Sequence, residues 1–315
     1  MKSESSAPGK IILFGEHFVI YGTKAILCAI NRRITVRAET VPREMITIKS
    51  KLGTISHNPE TKLADIDAPL RPIFHIASKL IKRHTHKGGM LITISSDIPH
   101  GVGLGSSSAC CVAGASAILG LFKKHDREEI LKLAIEAEKT IHRNSSGADC
   151  TVCLYGGVME YSKNVGFAEI NPAPEFTIVL ANSDMKHSTG DVVDGVKGFR
   201  EKNKARFEVM CKAEDHLVND AILHIKNKDM IGLGVCVKKN QSMLKEIGVS
   251  NERLEEMIKI ADSTSYGSKI TGAGDGGCIF ALNDDTNMQD TLYTLEKNGI
   301  ECFSVGIDFK GLDTI

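Results

Sequence analysis

Pro99-His-Gly-Val-Gly-Leu-Gly-Ser-Ser-Ser-Ala109 is the stretch around which the rest of this chain is organised. Glycine stands at every second position from 101 to 105, followed by three serines and a run of small apolar residues. Glycine lets a backbone take positive φ and approach a ligand closely, and the serines lie where a helix would begin. A glycine loop that leads into a helix N-terminus is a physical site for an anion, most often phosphate. The alternative is a tight turn followed by a serine N-cap.

The loop matches neither of the common phosphate-binding motifs. A Walker A loop requires lysine beside its last serine or threonine, and a dinucleotide-binding loop requires glycine where Ser106 stands. A second segment, Gly272-Ala-Gly-Asp-Gly-Gly277, has the dinucleotide spacing, but it leads into a predicted strand and not a helix. The pattern therefore indicates a phosphate site without indicating a family.

Length and charge narrow the class of protein. The chain has 315 residues, about enough for two domains, and lysine plus arginine balance aspartate plus glutamate at 39 each. A chain without net charge lacks the field that attracts nucleic acid or an anionic membrane. The N-terminus lacks the apolar segment of a signal peptide, no run is long enough to span a membrane, and the nine cysteines lie mostly in apolar segments. We therefore expect a cytoplasmic protein with reduced thiols.

Ionisable residues flank a short apolar strand predicted near the N-terminus. Lys10 precedes residues 11–14, and Glu16 and His17 follow them. A helix predicted over 126–143 carries Glu138 at the border of its apolar stripe, where a carboxylate needs a partner. That partner is either a basic side chain or a metal ion. The turn that follows the helix brings Asp149 to the start of an apolar segment.

The remaining pattern predicts alternating strands and helices in two halves, 1–172 and 173–315. Residues 164–175, which include two prolines, separate these halves. Strands predicted at 34–38 and 45–49 would form a hairpin or meander, and residues 54–68 would form a loop. Further strands are predicted at 90–95, 176–181 and 301–307, and helices at 69–86, 188–200, 203–226, 229–246, 251–264 and 286–298.

Cys150-Thr-Val-Cys153 is a lone CxxC pair. No second pair and no nearby histidine pair completes a zinc site, so core packing is the favoured interpretation and a redox pair is the alternative.

Three stretches together resemble the signature motifs of the GHMP small-molecule kinases. They are Pro8-Gly-Lys-Ile-Ile-Leu-Phe-Gly-Glu-His17, the glycine loop quoted above, and Lys269-Ile-Thr-Gly-Ala-Gly-Asp-Gly-Gly-Cys278. They follow the family's order and spacing over nearly the whole chain. Within the family, Gly15-Glu-His-Phe-Val-Ile-Tyr-Gly22 and the stretch from Glu138 to Asp149 resemble the members that phosphorylate mevalonate. The compact length resembles the archaeal and bacterial members.

The resemblance implies an α+β fold with a ribosomal-S5-like N-terminal α/β domain and a C-terminal domain with a ferredoxin-like core. ATP would bind in the cleft between them, with Mg²⁺, and its phosphoryl group would pass to the primary alcohol of mevalonate. The implied partners are ATP and mevalonate, and a homodimer is compatible with the family. The alternatives are a kinase of phosphomevalonate, homoserine or a sugar, and a non-catalytic metabolite sensor on the same fold.

The resemblance also assigns roles to individual residues. Lys10 and Asp149 match the catalytic pair, in which Asp149 either accepts the proton of the alcohol or only orients it, and Lys10 keeps Asp149 ionised. Ser107 and Glu138 match the Mg²⁺ ligands. The nucleotide would contact Pro99, Gly101, Gly103, Leu104, Gly105, Ser106, Ser107 and Ser108. Mevalonate would contact Lys10, Glu16, His17, Asp149, Thr189, Gly272 and Ala273.

Two positions depart from the family pattern. Ser145 stands where a proline is usual, and Asp275 replaces a glycine in the third motif. Neither change removes a group expected to act in catalysis, but Asp275 would bring a negative charge near the site.

Overall fold

The computed structural model of this chain describes residues 1–99, 103–122, 126–142, 145–173, 175–185 and 188–315. Its strands separate into two sheets. In chain order they are β1 (Lys2–Phe14), β2 (Ala25–Val41), β3 (Ile46–Ser50), β4 (Gly53–His57), β5 (Gly89–Ser96), β6 (Val158–Ser162), β7 (Gly166–Glu169), β8 (Thr177–Asn182), β9 (Gly267–Ile270), β10 (Cys278–Asn283), β11 (Cys302–Gly306) and β12 (Asp313–Thr314).

The larger sheet is built on the long antiparallel pair β1–β2. Its order is β12-β1-β2-β5-β3-β4, and β6 pairs with both β2 and β7. The β1–β2 register runs from Lys2 opposite Glu39 to Phe14 opposite Ile26, with an irregularity between Pro8 and Gly9. The smaller sheet is antiparallel throughout, in the order β11-β8-β10-β9. The end of β1 therefore brings residues 15–17 towards the second half of the chain.

The helices cover these sheets, and the one after the glycine loop is the most deeply buried. They are α1 (Arg71–Arg83), α2 (Ser106–Leu119), α3 (Arg127–Glu138), α4 (Ala148–Tyr155), α5 (Thr189–Lys202), α6 (Lys204–Asn227), α7 (Met230–Glu246), α8 (Glu252–Ala261) and α9 (Met288–Lys297). All residues of α2 from Ser108 to Leu119 except Cys110 are buried. A Cβ on its Gly114 would lie 2.3 Å from Cδ1 of Ile73, so the small residues allow α1 to pack closely. In the part of the chain described, no helix combines the length and apolarity needed to cross a membrane.

Several helix starts follow the side-chain signals in the sequence. Asp126 accepts a hydrogen bond from the Glu129 amide at 2.8 Å and so caps the start of α3. Ser188 and Asn251 likewise cap α5 and α8. The helix predicted over 126–143 ends at Glu138, and residues 139–141 form a turn.

Two expectations for the first half are wrong. The predicted hairpin between the strands at 34–38 and 45–49 does not form, because β2 pairs with β5, and β3 lies parallel to β5 on its other side. The hairpin is instead β3–β4, so residues 53–57 are a strand and not a loop. In β4 only Ile55 is buried, so the apolar alternation that would have predicted this strand is missing.

The division at residue 172 stays a prediction. The strands of the smaller sheet all lie after that point. The last strand, β12, returns to pair Thr314 with Ser5 and Asp313 with Ser6 in the larger sheet.

Candidate active site

The glycine loop forms the start of α2 as an open helix N-terminus. Gly103 and Gly105 have φ of 79° and 72°, and Gly105 is the N-cap, which has no side chain to occupy the first-turn amides. The amides of Ser106, Ser107 and Ser108 therefore start the helix at the positive end of its dipole, an arrangement that suits phosphate. Pro99 is exposed at the beginning of the loop, and the predicted contact Gly101 lies outside the described residues.

The first strand packs directly against this loop. The Lys10 amide donates to the Leu104 carbonyl at 3.0 Å, and Leu104 is buried. A Cβ on Gly105 would lie 2.7 Å from Cγ of Lys10. Both the positive φ and this close approach require glycine at 105, and together they hold the Lys10 side chain beside the start of α2.

Lys10 and Asp149 form an ion pair, with Nζ 3.0 Å from Oδ2. The Lys10 side chain is 6% exposed and that of Asp149 is 35% exposed, so only the carboxylate is open to a ligand. Asp149 lies in the first turn of α4, two residues after the N-cap Gly147, whose φ is 81°. A carboxylate there is favoured by the helix dipole and by the lysine charge. The Asp149 carboxylate can accept a hydrogen bond from a hydroxyl group, and the adjacent Lys10 ammonium can contact a phosphate group.

Glu138 ends α3 as a buried carboxylate, 4% exposed. Ser108 donates to one of its oxygens and Ser145 to the other, and Cys150 Sγ lies 3.6 Å from the second oxygen. Within the described ranges no basic side chain pairs with it, so its negative charge has only neutral donors. Ser145, the departure from the family pattern, thus supplies one of these donors. The hydroxyl that α2 provides to Glu138 is that of Ser108 and not that of the predicted co-ligand Ser107.

Glu138 and Asp149 line the same cavity, which has a volume of about 240 Å³. Ser107 lines it together with Glu138 and Asp149, although the Ser107 hydroxyl makes no hydrogen bond to Glu138. The described residues contain no cluster of three or more acidic, histidine or cysteine side chains able to hold a metal by themselves. One carboxylate and one hydroxyl suit Mg²⁺, which takes few protein oxygens when phosphate and water complete its shell. The cavity is lined by Ser107, Glu138, His142, Ser145, Ser146, Ala148 and Asp149.

His17 is held in a strained turn beyond the end of β1. Its φ is 63° and its ψ is −41°, and the Phe18 amide donates to the Glu16 carbonyl at 2.7 Å. The His17 Nε2 lies 2.7 Å from the Ala273 carbonyl, which can only accept, so Nε2 carries the proton. Burial lowers the pKa of His17, so the ring is neutral near pH 7 and Nδ1 is an acceptor.

Glu16 lies in the core rather than on the cavity surface. It is 2% exposed and forms a buried ion pair with Lys269 of β9. Glu214 of α6 lies close by, accepting from the Gly15 amide at 3.0 Å and from Asn240 at 2.7 Å. Burial, and then the negative charge of Glu16, raise the pKa of Glu214 to about 7.

Sequence reasoning missed Lys269 and Glu214 as parts of this region. Lys269 belongs to the third motif but received no role. Glu214 had a weak signal, since it lies seven residues after the buried Phe207 and three before the buried Leu217, within the apolar stripe of α6.

The other predicted substrate residues lie in different surroundings. Thr189 is exposed at the start of α5, and no hydrogen bond among the described residues joins it to the other predicted substrate contacts. Gly272 has a φ of 86° beside Ala273. Asp275 is exposed with a φ of 57°, a conformation in which glycine is common, and Asn251 donates to its carboxylate at 3.4 Å. Its charge therefore faces α8.

Known proteins match this chain over nearly its whole length. Residues 72–157 match the GHMP kinases N terminal domain, and residues 221–300 match the GHMP kinases C terminal domain. The mevalonate kinase of Thermococcus gammatolerans is 37% identical over 305 residues, which cover 90% of this chain and 89% of that protein. The chain belongs to the GHMP kinase family.

Further comparisons support the same family. The mevalonate kinase of Aeropyrum pernix is 29% identical over 314 residues, 98% of this chain and 97% of that protein. The crystal structure of the Methanococcus jannaschii mevalonate kinase superposes with a TM-score of 0.85 at 26% identity, covering 98% of each chain. The expected GHMP kinase fold, with its two mixed α/β parts, is confirmed, and this GHMP family member is a kinase that uses ATP as its co-substrate.

Proposed function

We propose that this kinase transfers the γ-phosphoryl group of ATP to the primary alcohol of (R)-mevalonate, giving 5-phosphomevalonate and ADP. The observation that carries the proposal is the ion pair of Lys10 and Asp149, 3.0 Å apart, beside the open N-terminus of α2. The choice of mevalonate rests on relatives that are named mevalonate kinase and that match nearly the full chain.

Phosphoryl transfer needs positioning and charge stabilisation more than covalent help from the protein. Asp149, one-third exposed, accepts a hydrogen bond from the alcohol and takes its proton as the oxygen attacks phosphorus. Lys10 pairs with that carboxylate and balances negative charge on the transferred group. The amides of Ser106, Ser107 and Ser108 hold the nucleotide phosphates.

Ser107 and Glu138 would hold Mg²⁺, because they line the same cavity and offer the hard oxygen ligands that this ion prefers. When bound, the ion neutralises phosphate charge. The buried carboxylate of Glu138 has no basic partner among the described side chains, which supports the assignment. Ser108 and Ser145 fix the orientation of that carboxylate from its two sides.

The region around His17 would receive the mevalonate. The neutral ring offers Nδ1 to a hydroxyl of the substrate, and the backbone at Gly272 and Ala273 closes the same region. We retain Thr189 as a proposed contact. Glu16 would act on the substrate only through its neighbours, since its carboxylate pairs with Lys269. Burial of most cysteine thiols supports a cytoplasmic location, and a homodimer stays a prediction.

An ADP-release assay with purified protein and a panel of acceptors tests this proposal. The panel contains mevalonate, phosphomevalonate, homoserine and galactose, each at the same Mg²⁺-ATP concentration. We expect kcat/KM for mevalonate to exceed that for every other acceptor by at least about 100-fold, a conservative margin for a site that hydrogen-bonds its substrate, which can discriminate by about 10⁴- to 10⁵-fold. Preference for another acceptor would reassign the substrate, and nucleotide binding without turnover on any acceptor would favour a metabolite sensor.

A further inference from the structure

Three ionisable side chains meet in the core where the end of β1 contacts the second half of the chain. Glu16 is 2% exposed, and Lys269 and Glu214 are 0% exposed. Lys269 Nζ donates to Glu16 and to the Leu13 carbonyl, 3.2 Å away. The same ammonium lies 5.3 Å from the centroid of the Phe280 ring. Because the Lys269 side chain is 0% exposed, this charge is shielded from solvent.

Glu214 holds the residue that precedes Glu16. Its Oε1 accepts from the Gly15 amide at 3.0 Å, and its Oε2 accepts from Asn240 Nδ2 at 2.7 Å. Gly15 has a φ of 94°, and a Cβ at this position would lie 2.5 Å from the Lys24 carbonyl oxygen. The backbone of residues 15 and 16 is therefore fixed by carboxylate and ammonium groups from α6 and β9.

The residue that this network holds in place is His17. A three-residue turn with positive φ at a non-glycine centre is strained, and such a conformation persists only where the surroundings determine it. Two anchors flank the strained residue. Glu16 is tied to Lys269 on one side, and the His17 ring is tied to the Ala273 carbonyl on the other.

Stability alone does not account for a fully buried ion pair. Removing two charges from water costs free energy that their attraction often fails to recover, and apolar replacements of similar volume are frequently as stable. A buried pair is therefore more useful as a means of fixing geometry than as a source of stability. Here the geometry it fixes is that of the residue next to Glu16.

We infer that Lys269, together with Glu16 and Glu214, is a positioning residue that holds His17 in its strained turn, so that the ring presents Nδ1 to the acceptor substrate. The inference deepens the proposed function and rests on it. It also changes the expected role of Glu16, which acts on the substrate through the turn and not by contact.

The test is the double variant Lys269→Met/Glu16→Gln. A single change at Lys269 leaves two buried carboxylates without a cation and risks misfolding, whereas the double variant removes both charges and keeps the side-chain lengths. We expect the KM for mevalonate to rise roughly 10- to 100-fold, the scale set by misplacing a bound group. The KM for ATP should stay within about twofold of wild type, since none of the hydrogen bonds and ion pairs that Glu16, Lys269 and Glu214 make among the described residues involves α2.

A spectroscopic measurement accompanies the kinetics. Burial, and to a lesser degree the charge of Lys269, lower the pKa of His17. If the network holds the ring in place, the His17 pKa measured by NMR should rise towards its ordinary value in Glu16→Gln protein, which keeps the Lys269 charge, because lost burial outweighs loss of the Ala273 hydrogen bond that raises it. The resonance is assigned by its absence in His17→Asn. This readout does not depend on turnover, so it tests the positioning role even if wild-type protein fails to phosphorylate mevalonate.

The matched control is Arg33→Met/Asp308→Asn, which removes a partly buried ion pair between β2 and the segment after β11. It should lower thermal stability without changing either KM. If the network variant folds with the mevalonate KM of wild type, and the His17 pKa of folded Glu16→Gln protein is also unchanged, the inference is wrong. Equal rises in the KM for mevalonate and for ATP would also overturn it, since they indicate general loosening.

If the double variant does not fold, Glu16→Gln alone replaces it. In that protein Lys269 keeps Glu214 as its counter-charge, so folding should survive. We expect the same selective rise in the mevalonate KM, of at least about tenfold. An unchanged mevalonate KM in folded Glu16→Gln protein would overturn the inference.

Discussion

Glu214 is the group whose titration should be visible in the stability of the whole protein. Its carboxyl is fully buried beside Glu16, and its pKa lies at about 7 in the folded chain against an ordinary value of 4.5. This difference of about 2.5 pH units, at about 1.36 kcal/mol each, corresponds to about 3 kcal/mol of unfolding free energy. It is an upper estimate, because partial opening of the core would reduce it.

The sign follows from proton binding. Because the folded pKa is raised, the folded state holds the Glu214 proton more tightly than the unfolded state does. The contribution to stability is therefore fully present below about pH 4.5, falls as the pH rises, and is lost above about pH 7. The charged groups facing Glu214 are Glu16 from the turn after β1 and Lys269 from β9, and the Gly15 amide and Asn240 donate to it.

The perturbation is Glu214→Gln, which cannot ionise and keeps the shape. Asn240 Oδ1 has no hydrogen-bond partner among the described residues, so a flipped amide can accept from the new side chain. The measurement is the free energy of unfolding of wild type and of Glu214→Gln, obtained from urea titrations at pH 5 and pH 8. The variant should gain about 2.5 kcal/mol relative to wild type between these values, because the contribution is not fully present at pH 5. Glu208→Gln, exposed on the same helix, should show no such change. A pH-independent difference between wild type and Glu214→Gln would refute the reasoning.

Three further outcomes follow from the site. Glu138→Gln should weaken Mg²⁺-dependent nucleotide use far more than mevalonate binding, measured by Mg²⁺ titration and calorimetry; unchanged Mg²⁺ affinity and turnover would remove it from the site. Gly105→Ala should displace the Lys10 side chain, whose Cγ would lie 2.7 Å from the added carbon. Turnover should therefore fall while thermal stability changes little; wild-type turnover would contradict this. Cys150 and Cys153, whose pKa values burial raises, should stay reduced in air by mass spectrometry, and a disulfide that alters activity would reverse the packing interpretation.

The parts of the site that depend on local backbone chemistry were predictable from the sequence. The glycine at 105 signals positive φ, and the serines after it signal a helix start. That Lys10 packs against this glycine was not part of the signal. The cap at Asp126 has a side-chain signature within three residues. Such features need only a few neighbouring residues, so a short pattern is enough to indicate them.

The parts that depend on which strands pair were not predictable. Ile46 lies opposite Met90, 44 positions later, and no local signal specifies that partner over the preceding strand. The role of Glu214 was equally hidden, since its burial depends on Lys269 and Gly15 from distant parts of the chain. The alternation rule also fails for β4, where one buried isoleucine supports a strand stabilised by its hairpin partner.

Turnover of Asp149→Asn with mevalonate tests the central claim most directly. Asparagine keeps the shape of the side chain but removes both the base and the charge that pairs with Lys10. ADP release should fall by about 10²- to 10⁴-fold, the range for loss of a general base, while calorimetry shows nearly unchanged binding of nucleotide and mevalonate. Near wild-type turnover in a folded Asp149→Asn protein would mean that Asp149 neither accepts nor orients the proton, and it would contradict the assignment of this active site.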